Sequence, residues 1–294
     1  MKKAITLIIV FVMILAMLTG CGGGGKSAPI SKDNKVLAMS FKAPENWVTI
    51  ERFADKKADG TLVEKDINFN FEDETSLGFA VMLGRKFSEL TDTSKLDSLE
   101  KNGITWYFIN SGAIHAAFAQ YGDDIYGIQY QTEGDDTKML DDAMAGVSFG
   151  KETSTTTDGI ELGSIKYDTS TGGKVCGTTV NRQEDTKGNL TQIAAMWAYG
   201  DDSSSPDYRF IIEYRKGAAL EDVLNNSKEY TDEKIGGKDC KALKDSSGTI
   251  YEYDVQAGDD VYRVVNNGKS GWLGVTRTDE SKEAFQKFVD NIKF

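Results

Sequence analysis

Few side chains in this sequence are of types that carry out chemistry, and they are scattered. Gly146-Val-Ser-Phe-Gly150 has the Gly-x-Ser-x-Gly spacing of a nucleophile elbow. That motif needs a strand before the serine, a helix after it, and an acid and then a histidine later in the chain. Here a helix is expected before Ser148, a polar run follows it, and the single histidine, His115, lies upstream. Ser148 therefore reads as the outward residue of a short closing strand, between inward Val147 and Phe149. His115 cannot build a zinc site by itself, because a closed site needs about four Cys or His ligands. It reads as a strand residue after the Ser111-Gly112 turn. No catalytic residue, cofactor-binding residue or metal ligand is assigned.

Three other groups of residues carry potential chemistry. Acidic pairs and triplets recur at Glu72-Asp-Glu74, Asp123-Asp124, Glu133-Gly-Asp-Asp136, Asp141-Asp142, Asp201-Asp202 and Asp259-Asp260. Calcium favours such oxygen ligands, but no Asp-x-Asp-x-Asp-Gly loop closed by a glutamate is present. Most of these acids fall at expected turns, where Asp bonds to nearby backbone. Cys176 and Cys240 form an even pair in the second half. Bridged, they would close a loop of about 65 residues, worth roughly 4 kcal/mol on the chain-entropy account; two buried free thiols are the alternative. Aromatics are plentiful: Trp106-Tyr107-Phe108, Trp197, Tyr199, Tyr251, Tyr253, Tyr262 and Trp272. An exposed row of them would make a glycan or peptide platform, whereas alternating aromatics also pack sheets against helices. Ile250, Glu252 and Asp254 share the face opposite Tyr251 and Tyr253, so the tyrosine side is expected to face inward.

The composition is that of a folded chain. Of 294 residues 39% are hydrophobic and 10% aromatic, with three prolines and a formal charge of −12. A surface of that sign repels phosphates and speaks against a nucleic-acid role. The length suits two ordinary domains.

The elements that must position these residues come in two copies of one plan. In the first half Tyr126–Thr132 alternates as a strand and leads into a helix with Leu140, Ala143, Met144 and Val147 on one side. In the second, Trp272–Thr278 precedes a helix with Phe285, Phe288, Val289 and Ile292 on one side. This spacing buries one stripe of each helix. Upstream, strands at Phe79–Leu83 and Phe210–Tyr214 run into middle-helix candidates at Ser94–Lys101 and Ala218–Asn226. Strands at Ile104–Ile109 and Ala116–Tyr121 follow in the first half, and at Cys240–Leu243, Thr249–Val255 and Val261–Val265 in the second. The first strand of the second copy is either Ile165–Tyr167 or Val175–Val180. The expected class is α+β, with two similar domains, each an antiparallel sheet flanked by a middle helix and a C-terminal helix. The domains are 36–150 and 160–294, joined by the polar linker 151–159.

Met1–Cys21 sets the address. Lys2 and Lys3 precede a run, Ala4 to Leu18, that is apolar except for Thr6, and Leu18-Thr19-Gly20-Cys21 closes it. Charged start, apolar core and small residues are the layout of an export signal. The ending resembles a bacterial lipoprotein lipobox. That resemblance implies a signal peptide at 1–20, acylation of Cys21 and a lipid-anchored chain (a palmitate-type modification) on the outer side of the cytoplasmic membrane. Gly22–Gly25 and the polar residues after them make 21–35 a flexible tether.

Phe41-Lys-Ala-Pro-Glu-Asn-Trp47, followed by sheet, middle helix, hairpins and terminal helix, resembles the PsbP/Mog1-like domain superfamily. The resemblance covers 36–149 and, more loosely, 160–294. It implies an accessory or binding protein rather than an enzyme, and it brings no ligand residues across. The function expected is a noncatalytic membrane-anchored envelope module with no cofactor. Its partners would be the lipid bilayer through acylated Cys21, and an envelope protein, peptide or glycan. The substrate-binding lipoprotein of a transporter and an envelope hydrolase are the alternatives.

Overall fold

The computed structural model describes residues 35–132, 137–151, 160–271 and 274–294. Cys21, the signal segment 1–20, all of the 21–35 tether except Lys35, and all of the 151–159 linker except Lys151 lie outside the described residues. Contacts divide the chain into two compact units. The first holds the described residues up to Phe53, those from Val63 to Thr157, and Glu184–Asn189. The second holds Ala54–Leu62, Asp158–Gln183 and Leu190–Phe294. Each unit thus draws on separate stretches of chain.

The first unit begins with β1 (Lys35–Val36) and β2 (Met39–Ser40). Then come β3 (Thr49–Lys57) and β4 (Leu62–Asn70), of which Ala54–Lys57 and Leu62 fall in the second unit, and β5 (Ser76–Met82), β6 (Ser98–Lys101), β7 (Ile104–Ser111), β8 (Ile114–Tyr121) and β9 (Asp124–Gln131). Helix α1 (Phe87–Leu90) is a single turn, and α2 (Lys138–Ala145) leads into β10 (Ser148–Phe149). The main ladder runs β3-β4-β5-β9-β8-β7-β6, and β1-β2-β10 forms a small second sheet.

The second unit contains β11 (Val175–Asp185) up to Gln183, β12 (Leu190–Tyr199), β13 (Tyr208–Arg215), β14 (Thr231–Ile235) and β15 (Lys238–Lys244). It continues with β16 (Ile250–Ala257), β17 (Asp260–Gly271) and β18 (Gly274–Thr276). Its helices are the single turn α3 (Leu220–Val223) and α4 (Asp279–Asp290). Here the ladder runs β11-β12-β13-β17-β16-β15-β14, with β18 paired to β17.

These proportions overturn the α+β expectation. Of the described residues 51% are strand and 14% helix, and the structure is mostly antiparallel β. The middle helices account for the error. Ser94–Lys101 is a 3-10 turn at Thr93–Lys95 followed by strand β6. The cause is Asn102-Gly103, both at positive φ (56° and 72°), which closes a two-residue hairpin between Lys101 and Ile104. Asn-Gly is the turn whose twist suits paired strands, and it draws the residues before it into the ladder. Gly236-Gly237 does the same between Ile235 and Lys238. In the second unit the middle helix shrinks to α3.

The helix stripes lie where the cores are. Leu140, Ala143, Met144 and Val147 are buried, as are Phe285, Phe288, Val289 and Ile292. Helix α4 is capped by the Thr278 side chain, which accepts from the Ser281 N–H at 3.2 Å, and carries Asp279 and Glu280 in its first turn. Both features suit the positive end of a helix. Its Phe288 ring packs on Phe210 (5.5 Å) and Trp197 (6.1 Å). In the first unit Phe41 stacks on Phe79 at 3.8 Å, and Trp47 meets Phe69 edge-on.

The same side-chain devices recur in both units. Gln120 Nε2 donates to the carbonyls of Arg85, Gly122 and Asp124, while its Oε1 accepts from Phe87 N–H at the start of α1. Gln256 donates to Ala218, Gly258 and Asp260 and accepts from Leu220 N–H at the start of α3. Asp124 accepts from Gly84 N–H, and Asp260 from Gly217 N–H. Each unit also has a lead-in segment tied to a core tyrosine. Ala38 N–H meets Tyr126 Oη at 3.4 Å, and Ser164 N–H meets Tyr262 Oη at 3.0 Å. The preceding residue has positive φ in both, Leu37 (51°) and Gly163 (61°).

Candidate functional site

The second unit's lead-in segment walls one side of a cleft of about 410 Å³. That volume lies within the range of small-ligand pockets. Ile160, Glu161, Leu162, Gly163, Ile165 and Tyr167 come from this segment, and Arg182, Leu190, Tyr214 and Lys216 complete the lining. Backbone contacts fix the segment: Ser164 N–H donates to Tyr262, and Lys166 exchanges backbone hydrogen bonds with Lys293 at 2.8 and 3.0 Å. Gly163 is needed here because a Cβ would come within 2.4 Å of Tyr262 Oη and 2.7 Å of Tyr214 Cε2. Leu162 and Ile165 are buried, while Leu190 and Ile160 are half-buried and supply the reachable apolar surface.

Two cations border this apolar wall. Arg182 is on β11 and Lys216 directly follows β13, with Leu190 at the start of the intervening β12. Lys216 N–H bonds to the Thr191 carbonyl, and the Thr191 hydroxyl donates to the Gln183 carbonyl. The two cationic residues therefore start about 10 Å apart, two strand spacings across the sheet. Among the described residues neither charged side chain has an ion-pair or hydrogen-bond partner. Glu161, exposed on the segment, is the one acid in the lining. Tyr214 donates to Asp260 at 3.1 Å; burial, and then the neighbouring carboxylate, push its hydroxyl up to about 12, so it stays protonated. Tyr167 is also raised by burial, and its ring packs on Trp197 at 5.0 Å. This lining can bind and orient a ligand.

The residues singled out from the sequence sit elsewhere. Ser148 is exposed on β10, opposite Ser40 in the ladder, with Val147 buried beside it. His115 is buried on β8, its Nδ1 3.3 Å from Asn110 Oδ1. The two lie in different sheets and form no triad.

Cys176 on β11 and Cys240 on β15 are buried free thiols, the second of the two alternatives the sequence left open. Four strands stand between theirs in the ladder order, whereas a bridge needs Cβ atoms about 4 Å apart. Burial raises both thiols, Cys240 to about 11.

Two acidic turns bond locally, Asp73 accepting from Thr75 and Asp202 from Ser204, whereas Asp124 and Asp260 accept from the distant Gly84 and Gly217. Asp141-Asp142 is in helix α2 rather than a turn, and Glu133–Asp136 lie outside the described residues. No group of three His, Cys, Asp or Glu that could hold a metal ion occurs among the described residues. Tyr253 faces the core, Tyr251 lies under Arg277 at 4.0 Å, and Trp272 is outside the described residues.

Sequence reasoning missed Arg182 and Lys216, whose relation depends on strand order. It also missed two sets of buried charges. In the first unit Glu51, Glu64 and Asp66 are buried together, and Asp66 is held well above the carboxylate range by burial, then by Glu64 and Glu51. In the second, Arg263 reaches Asp254 at 2.7 Å, Glu252 at 3.3 Å and the Val223 carbonyl at 3.0 Å. A clue was present: Glu64, Asp66 and Asn68 alternate with Ile67 and Phe69, as Glu252 and Asp254 do with Tyr253 and Val255. Alternation marks two faces but not whether the polar one is covered.

No family model and no curated protein matches this chain. Among solved structures, the crystal structure of MucB in complex with MucA(peri) is similar at 10% identity, over 84% of this chain and 93% of that one, with a TM-score of 0.17. The complex structure of Pseudomonas aeruginosa MucA/MucB gives 9% identity, the same coverage and 0.19. Similarity at that level supports no assignment. Among the described residues no helix is long and apolar enough to cross a membrane.

Proposed function

We propose that this chain is a noncatalytic binding module of the bacterial cell envelope, anchored through acylated Cys21, whose second unit holds a small ligand. The observation that carries the binding role is the cleft under residues 160–167, with aliphatic residues in its wall and two cations that have no partner among the described residues. The anchor rests on Leu18-Thr19-Gly20-Cys21, since a single thiol acylated next to a glycine-rich tether gives the attachment that no described helix supplies. Lasting attachment takes two or three acyl chains, because each buried CH₂ adds only ~0.8 kcal/mol.

Two measurements test the reading. Metabolic labelling with a fatty-acid analogue should mark the wild type and not Cys21→Ser; equal label would remove the anchor. Native mass spectrometry of chain purified without detergent should show a retained small molecule that Leu190→Trp, which fills the cleft, displaces. Absence of any ligand from both proteins, under solution conditions that preserve the fold, would remove the binding role.

A further inference from the structure

We infer that the cleft takes a single-tailed anionic amphiphile, its carboxylate or phosphate head between Arg182 and Lys216 and its tail along the half-buried Ile160 and Leu190. The inference rests on the binding role proposed above and names the ligand class. Charge argues for the head. The chain carries a net −12, so its general field repels anions, yet this cleft presents two cations that have no ion-pair or hydrogen-bond partner among the described residues. A planar guanidinium matches a carboxylate or phosphate in a bidentate fork. Glu161 on the segment disfavours a second negative charge, which selects a head of low charge.

The wall argues for the tail. Its reachable aliphatic residues are Ile160 and Leu190, and both tyrosine rings already pack on aromatic neighbours, Tyr167 on Trp197 at 5.0 Å and Tyr214 on Tyr262 at 5.2 Å. Tyr214 is buried besides, which leaves that ring no open face for a sugar to stack on. Two nearby cations with an aliphatic surface between them are complementary to an alkyl chain ending in an anion.

The test uses isothermal titration of the chain lacking residues 1–20 and carrying Cys21→Ser, both units intact. Ligands are octanoate, decanoate, decyl phosphate and decyl glucoside, each below its micelle concentration. Decanoate should bind roughly tenfold tighter than octanoate, since each buried methylene gives about a threefold to fourfold gain. Arg182→Gln should weaken decanoate at least tenfold, the effect of losing a charged hydrogen bond, and Arg182→Lys should recover part of it. Lys216→Gln provides an independent check on a residue that is exposed and cannot threaten folding. The ratio of decyl phosphate to decanoate assigns the head, a lipid phosphate or a fatty carboxylate. Decyl glucoside binding as tightly as decanoate, or affinities unchanged in both charge variants, would overturn the inference. Failure of every anion to bind, while mass spectrometry still shows a ligand displaced by Leu190→Trp, would overturn the ligand class and leave the cleft's binding role intact.

Discussion

Replacing Gly163 by alanine tests whether the cleft is built as described. The new Cβ would lie 2.4 Å from Tyr262 Oη and 2.7 Å from Tyr214 Cε2, both distances that real contacts do not reach. One ring must move or the segment must lift, and overpacking of this kind costs about 1–3 kcal/mol. The backbone adds about 1–2 kcal/mol, because φ at this position is +61° and an L side chain is strained there. The expected loss is therefore about 2–5 kcal/mol. Gly112→Ala is the control: its φ is +60° but nothing lies within 4 Å of its Cβ, so it should lose only the backbone part. The difference between the variants, about 1–3 kcal/mol, isolates the steric contact. Urea titration followed by circular dichroism measures both, with amide exchange at Ser164, which donates to Tyr262, reporting the local change. Adding Tyr214→Val to Gly163→Ala should return part of the steric cost, a coupling of about 0.5–3 kcal/mol. Equal losses for the two alanine variants, or strict additivity in the double variant, would refute the close packing of Gly163 on the two tyrosines.

Two further outcomes are expected. Arg263→Met should cost about 3–5 kcal/mol near neutral pH, since it strands the buried Asp254 and Glu252 without their cation. Burial already raises Asp254 from 3.8 to about 6, against the pull of Arg263. A raised acid contributes stability at low pH that is lost as pH climbs through that window, so the penalty of Arg263→Met should shrink toward pH 4; a penalty flat in pH would contradict this. In the Cys21→Ser chain a thiol reagent should find two thiols after unreduced denaturation and almost none within minutes in the native state at pH 8. Burial and the raised thiols protect Cys176 and Cys240; no thiol after denaturation would restore the bridge.

What the sequence disclosed follows from the range of the interactions involved. The two closing helices were legible because the spacing of Leu140, Ala143, Met144 and Val147, and of Phe285, Phe288, Val289 and Ile292, is a local signature of a buried stripe. Ser94–Lys101 was misread because Leu96 and Leu99 at i, i+3 also suit a helix, while the decisive Asn102-Gly103 turn lies just beyond. The β content rose with it, and the α+β class fell. The cleft was not legible at all. Arg182, Leu190 and Lys216 become neighbours only through the β11-β12-β13 ladder, and no short-range pattern encodes that juxtaposition.

The cleft's place in the second unit matches the points at which the two lead-in segments differ. The tyrosines that hold the lead-in segments, Tyr126 and Tyr262, stand opposite Val81 and Tyr214 in their ladders. The residue before the bonded N–H is Leu37 in the first unit and Gly163 in the second, and the ladder partner of the tyrosine is Val81 in the first and Tyr214 in the second. Side-chain bulk has moved from the segment to the sheet, so the segment can cross bare backbone over the tyrosines. One position before the aspartate-bound glycine, Leu83 in the first unit gives way to Lys216 in the second. Stitching differs too. In the first unit Ser40 and Met39 pair with Ser148 and Phe149, and Val36, Leu37, Ala38 and Met39 are all buried. In the second the ladder is reduced to the single bridge Lys166–Lys293, and Glu161, Gly163 and Ser164 are exposed. An apolar residue exchanged for a cation, beside a segment held at fewer points, turns a packed seam into a surface that a ligand can reach. The glutamine bonds around Gln120 and Gln256 are the same in both units, so the difference is confined to the lead-in segment and the residues beside it.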